Sequence, residues 1–194
     1  YEISPSNCMP PSIHPIDLIR TLKSKQLTPA IVFLTSRRSC DNAVKAFTHG
    51  PQTISPKRQE AIARLIDQWT LTYPSIQNHP FRECVIQCGV AAHHAGHLPS
   101  WKIVIEELMR KGALDAVFAT TTLAAGVDFP ARTVIITQSN IRKSHGFVDL
   151  TVGEVQQIAG RAGRRSKDKV GFAIITPSPY IDLVGLAEKL TGCP

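Results

Sequence analysis

The chain has 194 residues, 43% hydrophobic and 19% charged, which suits one domain with a substantial core. Lys and Arg number 22 against 15 Asp and Glu, so the formal charge is +7, a bias toward an anionic partner that does not by itself identify one. No apolar stretch reaches the ~18 residues of a membrane-crossing helix and no secretory leader is visible, so a membrane partner is not expected. The chain opens on Tyr1 rather than Met, as expected of a piece of a longer protein.

In chain order, residues 1–28, with Pro5, Pro10, Pro11 and Pro15, read as an incoming connector followed by a helix near 16–25. "PAIVFLT" (29–35) is a short β-branched apolar run and predicts a buried strand. Residues 36–47 predict a helix with Ser36 as N-cap and Ala43, Val44 and Phe47 on its inner face. Residues 55–69 predict another, capped by Ser55, with Pro56 at its first position and Ile62, Leu65, Ile66 and Trp69 along one stripe. "CGVAAHH" (88–94) predicts a short strand. Residues 98–112 predict a helix introduced by Pro99, capped by Ser100 and ended by Gly112. Strands follow at 114–120 and 132–138. Then come a helix at 151–163 with Thr151 and Glu154 as a capping box, a strand at 170–177 and a helix at 180–190. Alternating helices and uniformly apolar strands predict an α/β fold: a parallel sheet with helices on both faces.

Ligands of such sheets bind beyond the carboxyl ends of the strands. Those ends carry Ser36–Arg37, "HHAG" (93–96), "TTTLAAGVDFP" (120–130) and "QSNIRKSHG" (138–146). Hydroxyls, histidines, arginines and glycines collect there, and Asp128 is nearly alone as a carboxylate. That composition suits phosphates. Each residue has a simpler reading: Ser36 as an N-cap, Arg37 as a solvated helix residue, Thr120 as a strand end, the histidines as packed, Gly126 as a positive-φ turn. Their co-occurrence carries the argument.

The cysteines are Cys8, Cys40, Cys84, Cys88 and Cys193. An odd, scattered set favours reduced thiols and an intracellular (cytoplasmic or nuclear) protein. Cys84, Cys88, His93 and His94 crowd into eleven residues, but the C-x-x-C knuckle of a zinc site is absent, and packed thiols are preferred to a metal site. No G-x-S-x-G nucleophile elbow occurs, and "GRAG" follows a helix rather than a strand, which excludes a dinucleotide fingerprint. No G-x-x-x-x-G-K-[ST] phosphate loop and no acidic strand end for Mg²⁺ occur either, so this stretch does not hold a nucleoside triphosphate unaided.

"QQIAGRAGRR" (156–165) sets three arginines around two glycines. Read as helix, each glycine costs roughly 1 kcal/mol relative to alanine. The stretch resembles motif VI of superfamily 2 helicases, through Gln157, Gly160, Arg161, Gly163 and Arg164. Residues 118–136 resemble motif V, residues 30–40 motif IV, and "HHAGHLP" (93–99) the signature of the superkiller-type DExH helicases. The motifs stand in family order across about 30–178.

The resemblance implies the second of two RecA-like domains (a three-layer, P-loop NTPase-type α/β fold) over 30–178. Residues 1–29 are then a connector and leading helix, and 179–194 a terminal helix or the start of a following domain. It implies ATP and Mg²⁺ in the intact protein, in a cleft shared with a first RecA-like domain in cis. Arg161 and Arg164 would be the catalytic arginine fingers, assisted by Gln157, their spacing placing them on one helix face. Gly126 and Asp128 would approach the nucleotide; many relatives carry Asn at the position of Asp128, and Ser166 stands where the family has glycine. Ser36, Arg37, Gly96 and Thr120 would contact the backbone of single-stranded RNA or DNA, with His94 either touching the strand or shaping its loop. A monomer translocating 3′ to 5′ is expected. The alternatives are a non-catalytic nucleic-acid or protein binding module of the same fold, and a zinc-bearing regulatory domain built on Cys84 and Cys88.

Overall fold

The computed structural model describes residues 13–48, 50, 54–120, 129–143, 146–177 and 181–191. Its centre is a five-stranded parallel sheet in the order β2-β3-β1-β4-β7. The strands are β1 (Ala30–Leu34), β2 (Val90–His93), β3 (Ala116–Thr120), β4 (Thr133–Ile136) and β7 (Phe172–Ile175). Every residue of β2, β3 and β4 is buried, and Ala30, Ile31, Val32 and Phe33 of β1 are at most 2% exposed. A strand buried on both sides needs apolar side chains throughout, which is why these segments do not alternate. The helices are α1 (Pro15–Ser24), α2 (Arg37–Thr48), α3 (Pro56–Thr72), α4 (Arg82–Cys88), α5 (Pro99–Arg110), α6 (Val152–Ala159) and α7 (Leu183–Thr191). They complete a three-layer RecA-like α/β architecture.

Several local expectations are corrected. Ser55 occupies the N-cap of α3 but its side chain makes no capping hydrogen bond; the N–H groups of Arg58 (2.9 Å) and Gln59 (3.0 Å) donate to its carbonyl. Leu98, not Ser100, is the N-cap of α5, since Pro99 takes the first helical position. Residues 84–88 belong to α4, which ends on left-handed Gly89 at φ 66° before β2 begins. Propensity gives "RECVIQC" little helical signal; packing of Cys84, Val85 and Cys88 into the core holds it. Residues 138–146 are not simply a strand end, since β5 (Asn140–Lys143) and β6 (Gly146–Asp149) form an antiparallel hairpin. The helix expected at 151–163 stops at Ala159. Its capping box is present: the Glu154 N–H donates to Thr151 Oγ1 (3.2 Å) and the Thr151 N–H to Glu154 Oε2 (2.8 Å).

One carboxylate fixes two helices to the amino edge of the sheet. Asp115, immediately before β3, is 3% exposed. Its backbone bridges neighbours, with N–H to Gly89 O (2.7 Å) and carbonyl accepting from Ala30 N–H (2.9 Å). Its side chain accepts from Lys23 Nζ (2.9 Å) on α1 and Arg58 Nη1 (2.7 Å) on α3. Arg58 Nε also donates to Ala113 O (2.9 Å). Asp115→Ala is expected to destabilise the chain by about 1–3 kcal/mol, the cost of partly buried donors left without their acceptor. Urea unfolding should show a lower midpoint at unchanged slope; a change within about 0.5 kcal/mol would mean the clamp is not holding the edge.

Candidate functional site

After α6 the backbone leaves the helix and turns back over the sheet. Gly160 is the C-cap, at φ −64°, and donates to Gln156 O (2.7 Å). Residues 161–163 then run beside Ala131, just before β4. Ala131 N–H donates to Arg161 O (3.0 Å), Gly163 N–H to Ala131 O (2.7 Å), and Ala131 and Ala162 form a parallel bridge. Arg161 and Arg164 therefore do not share a helix face, and their three-residue spacing is realised in an extended loop.

Gly163 has a reason to lack a side chain within this domain. Gly163 adopts φ 90°, which side chains disfavour. It lies against Gly171 at the start of β7, where a Cβ on Gly171 would come 2.5 Å from Gly163 N and 2.6 Å from Ala162 O. Backbone meets backbone there, inside one domain: Gly171 has no room for a Cβ, and one on Gly163 would be crowded at 3.3 Å from Gly171 as well as strained.

This loop forms one wall of a cavity of about 550 Å³. Its lining includes Arg110, Arg161, Arg164, Arg165 and Lys167, together with Gly160, Gly163 and Pro130. Five cations around one hollow give it a composition suited to an anion. Gln157 lies exposed on the last turn of α6 and is not among the lining residues. Gly126 and Asp128 lie outside the described residues.

Asp168 closes the loop. Its side chain is 1% exposed. Oδ2 accepts from Arg164 Nε (2.7 Å) and from the Arg164 backbone N–H (3.0 Å), and Oδ1 accepts from Arg164 Nη2 (2.9 Å). Arg132 Nη1 stands 3.5 Å from Oδ1. The hydrogen bonds from Arg164 hold the Asp168 carboxyl down to about 2, below the ordinary carboxylate range.

The second set of residues gathers at the opposite, carboxyl edge, some five β1 residues or about 16 Å away. Thr120 ends β3 beside Leu34, the last residue of β1, and Ser36 and Arg37 follow directly. Arg37 is exposed, and its Cδ lies 3.3 Å from where a Cβ on Gly96 would be. Ser36 also serves as the N-cap of α2, its Oγ accepting from Ser39 N–H (3.0 Å). Thr120 is 8% exposed at the strand end.

His94 is 3% exposed, and both ring nitrogens are engaged. Nδ1 accepts from Gly96 N–H (3.1 Å) and Nε2 pairs with Asp41 Oδ1 (2.9 Å) on α2. Of the two readings of His94, this geometry favours loop shaping over direct strand contact. Nothing local in the chain marks Asp41 or Asp168 as partners; only the four-residue spacing from Arg164 to Asp168 could have flagged the second.

The cysteine–histidine cluster does not assemble as a metal site. Cys84 Sγ donates to Val44 O (3.4 Å) and Cys88 Sγ to Phe47 O (3.5 Å), both on α2, while His93 Nε2 pairs with Glu106 Oε1 (2.9 Å). Among the described residues, only Asp41, His94 and His97 bring three such ligand atoms together, within 4.8 Å. The Gly96 N–H pointing at His94 Nδ1 makes that nitrogen an acceptor, so the proton sits on Nε2 and is donated to Asp41. In this tautomer the pair braces the loop after β2 against α2.

Comparison with known proteins agrees with the motifs. Residues 71–166 match the helicase conserved C-terminal domain. The chain is 35% identical, over 84% of its length, to the chloroplastic DExH-box ATP-dependent RNA helicase DExH15 of Arabidopsis thaliana, of which it covers 14%. It is 37% identical over 90% of its length to the probable helicase HelY of Mycobacterium tuberculosis, covering 20% of that protein. It is 32% identical over 92% of its length to the antiviral helicase SKI2 of Saccharomyces cerevisiae, covering 14%. The chain thus spans a fifth or less of these three relatives. With the parallel RecA-like sheet and the arginine loop, these likenesses make the chain a helicase C-terminal domain of the superkiller-type DExH family in superfamily 2.

Proposed function

We propose that this chain is the second RecA-like domain, over 30–178, of an ATP-dependent helicase acting on single-stranded nucleic acid. Residues 1–29 would be a connector and leading helix, and 179–194 a terminal helix or the start of a following domain. RNA is the favoured strand, because relatives whose names specify a substrate are RNA helicases; DNA is the alternative. The observation that carries the proposal is the cationic cavity at the amino edge, framed by Arg161 and Arg164.

The first RecA-like domain would bring ATP and Mg²⁺ to this cavity. Arg161 and Arg164 would then meet the charge that develops on the γ-phosphate as its bond to the leaving diphosphate breaks. A guanidinium suits that task because its planar fork pairs with two phosphate oxygens and stays charged. Gln157, Gly126 and Asp128 belong to the same nucleotide face by family resemblance. At the carboxyl edge Arg37, Ser36, Gly96 and Thr120 would hold the strand by its backbone, with His94 and Asp41 bracing the loop that presents Gly96. Such contacts position a strand without reading bases. Closure around ATP and reopening after hydrolysis would move this grip relative to that of the first domain, along one strand 3′ to 5′.

Three measurements test this in the intact helicase. Arg161→Ala and Arg164→Ala should each lower kcat for ATP by about 10³-fold or more, with KM changed only a few-fold; wild-type turnover in both would remove the fingers. Arg37→Ala should weaken single-strand binding similarly for all sequences and reduce the salt slope by about one ion, leaving nucleic-acid-independent hydrolysis intact. A loss restricted to some sequences would contradict a backbone contact. Gly171→Ala should push Ala162 and Gly163 off β7 and lower kcat by about 10²-fold, the scale of a 1 Å misplacement. Unchanged turnover in a folded Gly171→Ala protein would show that the loop's seat on β7 does not matter to the chemistry.

A further inference from the structure

An arginine that must meet a transferring phosphate faces an entropic difficulty. Its four side-chain torsions carry considerable rotamer freedom, and a loop restrains them less than a packed helix would. The structure supplies the restraint. Asp168 grips Arg164 at three points: Nε at 2.7 Å, Nη2 at 2.9 Å and the backbone N–H at 3.0 Å. The backbone answers, with Asp168 N–H (3.0 Å) and Lys167 N–H (3.2 Å) both donating to Arg164 O. Side chain and main chain are thereby closed into one small ring.

The mode of pairing matters. It is side-on, using the Nε–H and one Nη2–H of the five guanidinium N–H groups. Of the remaining three, one on Nη1 and one on Nη2 form the end edge of the fork, which is the edge that grips two oxygens of a phosphate. The carboxylate is 1% exposed and stays ionised to about 2, so the grip persists at any working pH.

We propose that Asp168 is a positioning residue for Arg164, holding the guanidinium side-on so that its end edge faces the γ-phosphate in the cavity. This rests on the finger role proposed for Arg164. Asp168 itself touches neither nucleotide nor metal; it acts through Arg164 alone, while Arg132 beside Oδ1 helps to hold the carboxylate in place.

The test is a double-mutant cycle in the intact helicase, with kcat and KM for ATP measured in each protein and the thermal midpoint recorded. Asp168→Asn keeps the shape of the side chain but offers an NH₂ where an acceptor oxygen stood. It should lower kcat about tenfold with KM within about twofold, Asp168→Ala about a hundredfold, and Asp168→Glu should recover part of the alanine loss. In an Arg164→Ala background, Asp168→Asn should have no further effect on kcat. Equal losses from Asp168→Asn with Arg164 present or absent would overturn the positioning role, as would wild-type kcat in Asp168→Ala when Arg164→Ala has lost activity. A drop in thermal midpoint at unchanged kcat would assign Asp168 to the fold only. Wild-type kcat in Arg164→Ala is a separate result: it removes the finger, and the proposal with it.

Discussion

A parallel sheet buried on both faces through β1, β2, β3 and β4 leaves its two ends for chemistry, and the placement of the polar residues follows from that constraint. The flanks are sealed by helices, so β1, β2, β3 and β4 carry apolar side chains almost without break. Polar residues concentrate where the strands stop. One end collects Ser36, Arg37, Gly96 and Thr120 around the tips of β1, β2 and β3. The other collects the arginine loop, seated on Ala131 ahead of β4 and on Gly171 ahead of β7.

The arginine loop obtains its rigidity from main-chain pairing and not from helical structure. A helix would have carried Arg161 and Arg164 on a cylinder whose position depends on side-chain packing. Here Ala131 pins the main chain on both sides of Ala162, and the left-handed Gly163 redirects it onto Gly171. Missing Cβ atoms at both glycines bring the two backbones into contact. The conformational cost of a glycine is thus set against a fit that no side chain would permit. The Asp168 carboxylate adds side-chain order to a main chain already fixed.

The fold class was legible because burial on both faces writes itself into composition: a short apolar run bounded by polar residues suits a strand covered on both sides and little else. Five strands and most helices follow from that signal and from caps such as Thr151–Glu154. The hairpin of β5 and β6 was not legible, since "NIRK" and "GFVD" are short, mixed and lack a tight-turn dipeptide. Nor was the end of α6. Local propensity continues through "IAGRAG" as readily as it stops, and what ends the helix is a pairing with Ala131, some thirty residues earlier in the chain. The site residues divide the same way. Arginines and glycines were visible by motif. Asp41 and Gly171 acquire meaning only through partners that the fold brings to them, and spacing along the chain does not encode those meetings; for Asp168 the four-residue spacing from Arg164 was the one local hint.

The distance between the two edges bears on how hydrolysis and strand movement are linked in the proposed function. A nucleotide at the amino edge and a strand at the carboxyl edge are separated by about 16 Å of close-packed sheet. Coupling through such a body needs no internal relay, because a dense core transmits displacement without rearranging. If Arg161 and Arg164 are drawn toward a phosphate on another domain, Arg37 and Gly96 must move with them, in a direction fixed by the pivot. The two-state element is then the interface between domains, and the interior of this one is required only to be stiff. Two braces serve that stiffness, one at each end: Asp115 ties α1 and α3 to the amino edge, and the His94–Asp41 pair ties the strand loop to α2 at the carboxyl edge. On the proposed function, a rigid carrier with its contacts at opposite ends would convert a small closure into a step, through the charged and polar residues that the sequence places at those ends.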